Sequence, residues 1–109
     1  LSKIEPFGNI RYSDLCYHAQ QAVEKSLKAL LIHFRIELIK THNIGRLIDQ
    51  LAKDIEIPQN IRKSDILSKY AIDFRYPGDY EDITQEDWKI AAGIAQKVIN
   101  WAKRIIEKQ

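Results

Sequence analysis

The feature that most constrains this chain is an apolar row near its C-terminal end. Trp88, Ala91, Ala92, Ala95, Val98, Ile99, Ala102, Ile105 and Ile106 recur at steps of three and four residues. Only an α-helix brings such positions to one side. A single amphipathic helix is marginal in water, so the remaining residues must supply elements that cover this one. The small alanines in the row permit a close helix neighbour. Thr84 with Asp87 three residues later resembles a capping box. Asp82, Glu86 and Asp87 suit the positive end of the helix dipole, and Lys103, Arg104 and Lys108 the negative end.

Three more segments carry the same periodicity. The first runs from about Ser13, a plausible N-cap, to Glu37, with Leu15, Ala19, Ala22, Val23, Ser26, Leu27, Leu30, Leu31 and Phe34 as its stripe. The second runs from about Asn43 to Asp54, capped by Thr41 or Asn43, with Ile44, Leu47, Ile48, Leu51 and Ala52 facing inward. The third spans about Pro58 to Phe74, with Pro58 in its first turn, a stripe of Ile61, Leu67, Tyr70, Ala71 and Phe74, and Pro77-Gly78 closing it. No stretch alternates with period two. The expectation is an all-α, antiparallel up-down helical bundle, one domain over residues 1–109.

On the last helix Ile90, Ile94 and Trp101 form a second apolar row beside the first. A helix apolar on two sides wants a second neighbour, either a further N-terminal helix or another subunit. The chain starts at Leu1 and contains no Met, so trimming at the N-terminal end is expected.

Seventeen basic against fifteen acidic side chains leave +2, too small an excess to argue for nucleic acid by bulk charge. The single cysteine, Cys16, excludes an internal disulfide and fits a reducing, cytoplasmic setting. No run of about 18 apolar residues predicts a membrane span, and no signal-peptide core is present. His18, His33 and His42 make no HxxxH or HExxH spacing, no CxxC occurs, and the four glycines are isolated, so neither a metal site, a cofactor nor a phosphate loop is expected. Cys16 reads as a buried structural thiol, since nothing in the sequence places a base beside it.

Two places can meet a ligand. Asp14, His18, Gln21, Lys25, Lys28 and Arg35 share one side of the first helix, a set able to hold a phosphate or nucleotide. The same residues also make an ordinary solvated face with intrahelical pairs such as Glu24–Lys28. The loop Arg75-Tyr76-Pro77-Gly78-Asp79-Tyr80 can stack a base and touch a phosphate, or simply end a helix.

The run His18-Ala19-Gln20-Gln21-Ala22-Val23-Glu24-Lys25-Ser26-Leu27-Lys28-Ala29-Leu30-Leu31 resembles the signature helix of the HEPN domains of bacteria and archaea. Thr41-His42 before the second helix and Arg75-Tyr76-Pro77 after the third resemble two further landmarks, in the same order. The similarity covers about Ser13 to Lys108. It implies a helical bundle usually preceded by one more helix, a homodimer, and frequent work beside a minimal nucleotidyltransferase, as in toxin–antitoxin pairs. Some members of the family cleave RNA with an arginine and, four to six residues later, a histidine on a late helix. Others are thought to bind nucleotides or act as non-catalytic partners.

This chain has no histidine after Arg75. Arg35–His42 and Arg11–His18 have the spacing, but apolar or aromatic neighbours (Ile36, Tyr12) stand where the motif prefers a polar residue, and both pairs lie early in the chain. The reading is therefore an accessory binding domain, with no catalytic residue assigned. His18, Gln21, Lys25, His42 and Arg75 are its candidate nucleotide contacts, and Ile90, Ile94 and Trp101 its candidate dimer or extra-helix surface. A metal-independent ribonuclease, with RNA as substrate, and a purely structural dimerisation module are the alternatives.

Overall fold

In a computed structural model of the chain, residues 11–71 and 83–108 are described. Among them the elements are α1 (Tyr12–His33), α2 (Ile44–Leu51), α3 (Gln59–Arg62), a 3-10 segment (Lys63–Ala71) and α4 (Gln85–Lys108), with no strand. The all-α bundle expected from the periodicity is what forms.

Helix α1 starts one residue before Ser13. Its N-cap is Arg11, whose N–H donates to the Asp14 carboxylate at 3.3 Å. It stops at His33, four residues short of the expected Glu37. The cause is local: Arg35 takes φ 60°, the left-handed conformation. This lets Arg35 N–H donate to the Ile32 carbonyl at 3.0 Å and Ile36 N–H to the Leu31 carbonyl at 2.8 Å. That is the pair of hydrogen bonds of a Schellman ending, which satisfies the last carbonyls and turns the chain back.

Helix α2 is capped by Asn43 as expected, its Oδ1 accepting from Arg46 N–H at 3.0 Å. Two more N–H groups of its first turn are met from the 3-10 segment: Ile44 donates to Ser68 Oγ (2.8 Å) and Gly45 to Asp65 Oδ1 (3.0 Å). A Cβ at Gly45 would stand 3.0 Å from three atoms of that carboxylate, so any larger residue would push Asp65 back by a few tenths of an ångström.

The third segment is not one α-helix. Pro58 is the N-cap of α3, and the chain tightens to 3-10 after one turn. The buried positions Ile61, Ser64, Leu67 and Tyr70 explain this, because they step by three. A helix of three residues per turn keeps such a row on one side, whereas 3.6 per turn would rotate it away. Ser64 fits the row by donating its hydroxyl back to the Ile61 carbonyl at 2.6 Å.

Helix α4 begins as the capping box predicted: Thr84 N–H donates to Asp87 Oδ2 (3.0 Å) and Asp87 N–H to Thr84 Oγ1 (3.1 Å). Its start lies beside the start of α1, where Tyr12 stacks on Trp88 with ring centroids 6.0 Å apart. Tyr70, ending the 3-10 segment, is hydrogen-bonded there to Cys16. The up-down alternation therefore runs α1, 3-10 segment, α4, and the two long helices begin at the same end. Val23, Leu27, Leu30 and Leu31 of α1, Leu47 and Leu51 of α2 and Val98 of α4 are wholly buried between them.

The second apolar row of α4 divides. Ile90 is 52% exposed and Ile94 half-buried, but Trp101 is 8% exposed and belongs to the core, which corrects its placement on a free surface. Ile106, expected inside, is exposed at 37%. The broad indole reaches the interior from a position beside the stripe, while the stripe itself drifts outward past the last covering element.

Candidate functional site

The site grows out of two polar residues inside the apolar stripe of α1. Gln20 is fully buried and Glu24 is 4% exposed, between Cys16 and Leu27. A buried amide and a buried carboxylate must be hydrogen-bonded or cost several kcal/mol, roughly 2–7 for the amide alone. Every such bond is present.

Glu24 Oε1 accepts from Gln20 Nε2 at 2.9 Å and from Gln21 Nε2 at 3.4 Å, and Oε2 accepts from Lys28 Nζ at 2.8 Å. His42 Nδ1 lies 3.2 Å from Oε1 and 3.1 Å from Oε2. Gln20 Nε2 also donates to the His42 carbonyl at 3.2 Å, and Gln20 Oε1 accepts from Gln21 at 2.8 Å. These bonds strap the turn before α2 onto the middle of α1. Among the described residues no buried side-chain nitrogen or oxygen lacks a partner.

The electrostatics follow from this wiring. Burial pushes the Glu24 carboxyl up, but hydrogen bonds from Lys28, Gln20 and His42 and the charge of Lys28 outweigh it, so its pKa is lowered from 4.5. Glu24 is thus held ionised. A carboxylate has no proton to donate, so Nδ1 of His42 carries the hydrogen between them, and Nε2 is the nitrogen left for other molecules. The His42 side chain is 73% exposed while its carboxylate partner is only 5% exposed. The result is an imidazole aimed by a buried anchor, whose Nε2 accepts a hydrogen bond in the neutral ring and donates one to an anion when the ring is protonated.

Of the residues singled out in the sequence, Gln21 and His42 meet at this network. His18 and Lys25 are exposed on the same helix, with the His18 ring against Tyr17 at 5.9 Å, and no bond among the described residues ties either to Glu24. Arg75 lies outside the described residues. The Glu24–Lys28 pair read as an ordinary intrahelical bridge is formed, yet its carboxylate is also the centre of the site. The missed residues were Gln20 and Glu24. Their signal was visible: polar side chains four residues apart, on the same side as Cys16, Val23 and Leu27.

The formal Arg35–His42 pair lies far apart along α1. His42 sits level with Glu24, whereas Arg35 follows the end of α1; the eleven positions between 24 and 35 amount to roughly 16 Å. Among the described residues no three His, Cys, Asp or Glu side chains are grouped as a metal would need. No helix among them is long and apolar enough to cross a membrane.

No curated protein and no solved structure matches the chain significantly. One family model does, that of the HEPN domain, over residues 5–105. A match of that length, on an all-helical bundle whose signature helix carries the site, makes the chain a member of the HEPN domain family.

Proposed function

We propose that this HEPN-family chain is a cytoplasmic binding module whose α1 flank takes the phosphate of a nucleotide, and that it works as a homodimer beside a minimal nucleotidyltransferase. One observation carries the ligand reading: His42 is anchored through Nδ1 by the buried Glu24 carboxylate, which it shares with Lys28, and presents the rest of its ring to solvent. An anchored imidazole loses little freedom on binding, and Lys25 and Lys28 supply positive charge on the same helix side. Gln21 fixes Gln20 and Glu24 from behind. Arg75, placed by sequence alone, is the further cation of this reading. The dimer reading is supported by the exposed Ile90 beside the half-buried Ile94.

The test of the ligand reading is thermal stabilisation by ATP, GTP and their monophosphates. A nucleotide at a hundred times its dissociation constant adds about 2.7 kcal/mol. His42→Ala and Lys25→Ala should abolish the shift; a melting temperature indifferent to every nucleotide refutes it. Light scattering on the native chain and on Ile90→Glu tests the dimer, which that charge should split.

One observation favours a second reading. A histidine oriented by a carboxylate is also the arrangement of a general acid–base. Cleavage of RNA in EDTA that disappears in both His42→Ala and Glu24→Gln would establish a ribonuclease instead.

A further inference from the structure

A polar cavity elsewhere in the fold shares no residue with the Glu24 network. It opens where α3 meets the second half of α4, has a volume of about 240 Å³, and is lined by Pro58, Asn60, Ile61, Lys97, Asn100, Trp101 and Arg104. The lining holds two cations and two amides and no carboxylate. Lys97, Asn100 and Arg104 follow one another at steps of three and four on α4, hence on one side of it. Asn100 is already oriented: its Oδ1 accepts from Gln96 Nε2 at 3.0 Å, so its Nδ2 hydrogens are the part left for a ligand. Among the described residues neither Lys97 nor Arg104 is in an ion pair. The floor is the Trp101 ring, which the core fixes at 8% exposure.

We infer that this cavity is a binding site for a small organic phosphate. Three donor groups in a row match the three terminal oxygens of a phosphomonoester, whereas a carboxylate offers two. Arg104 brings a planar fork suited to two of those oxygens, and Lys97 a point charge suited to a third. The size sets the rest of the ligand. A volume of about 240 Å³ lies below the usual range for drug-sized ligands and suits a carbon body of about one sugar beside Asn60 and Trp101.

Trp101 reports on the site, and Trp88→Phe removes the other indole signal. Ribose 5-phosphate titrated into that full-length variant should give a saturable change in fluorescence with a dissociation constant below about 1 mM. Arg104→Gln and Lys97→Gln, both exposed and checked for native helicity by circular dichroism, should each weaken binding about tenfold or more, with Arg104→Lys in between. His42→Ala should leave this titration unchanged, which separates the site from the α1 flank whatever becomes of that reading. No saturable signal, equal affinity in Arg104→Gln, or malonate binding as tightly as ribose 5-phosphate would each overturn the inference.

Discussion

Glu24→Gln is the substitution that tests the central network. It keeps the size and one acceptor oxygen, and replaces the charge by an amide whose hydrogens face Lys28. The native carboxylate accepts from Gln20, Gln21, Lys28 and His42. Breaking a buried ion pair by removing one partner costs about 3–5 kcal/mol. Here the partners are not fully buried: Lys28 is 29% and His42 73% exposed, so both regain water when released. Gln20, fully buried, keeps two acceptors, the retained oxygen and the His42 carbonyl. About 2 kcal/mol at neutral pH is the resulting expectation, with the larger share in the lost charge-assisted bonds of Lys28 and His42.

For a chain of this length that loss lowers the melting temperature by roughly 9 °C. The sign with pH is fixed by the lowered Glu24 pKa. A carboxyl depressed in the folded state contributes stability above its unfolded value of about 4.5, and the contribution is lost as pH falls through the folded value. Melting curves of both proteins by circular dichroism should therefore lie apart at pH 7 and converge as the pH drops well below 4.5. Equal stability at pH 7, or a gap that persists undiminished in acid, would refute the network's role.

Arg35→Gly should raise stability by about 0.5–1 kcal/mol in urea unfolding, since φ 60° strains an arginine and not a glycine. Gly45→Ala should lower it by about 1 kcal/mol because the new Cβ displaces Asp65 from the start of α2. In an Asp65→Ala background the same change should become stabilising through helix propensity, and an unchanged sign would remove the steric argument. At the other end of α1, burial raises the Cys16 thiol from 9.0, and burial with Cys16 and Asp87 nearby pushes Tyr70 up to about 12. Groups raised in the fold stabilise below their unfolded values and lose that contribution as pH climbs, so stability should fall between about pH 10 and 12, less steeply in Tyr70→Phe. Cys16 should react with a thiol reagent only as fast as the chain opens, because the folded side chain is wholly buried.

Much of this architecture is written locally. The capping box at Thr84, the Asn43 cap and the stripes of α1 and α4 depend on residues within four positions of each other, so periodicity suffices to find them. The 3-10 segment escaped because Ile61, Leu67 and Tyr70 fit either helix type; only burial of Ser64 shows that the row steps by three. Trp101 escaped because a large ring reaches the core from beyond the nominal stripe.

The sequence by itself determined the helical class, the family and the helix that carries Gln21 and its lysines. Tertiary structure alone decided which polar residues form the site. His42 is eighteen positions from Glu24, and nothing local announces that the chain folds back at Arg35 to bring them within 3.1 Å. Once there, the buried carboxylate requires its donors, because an unpaired charge in the interior is far costlier than ordering four side chains around it.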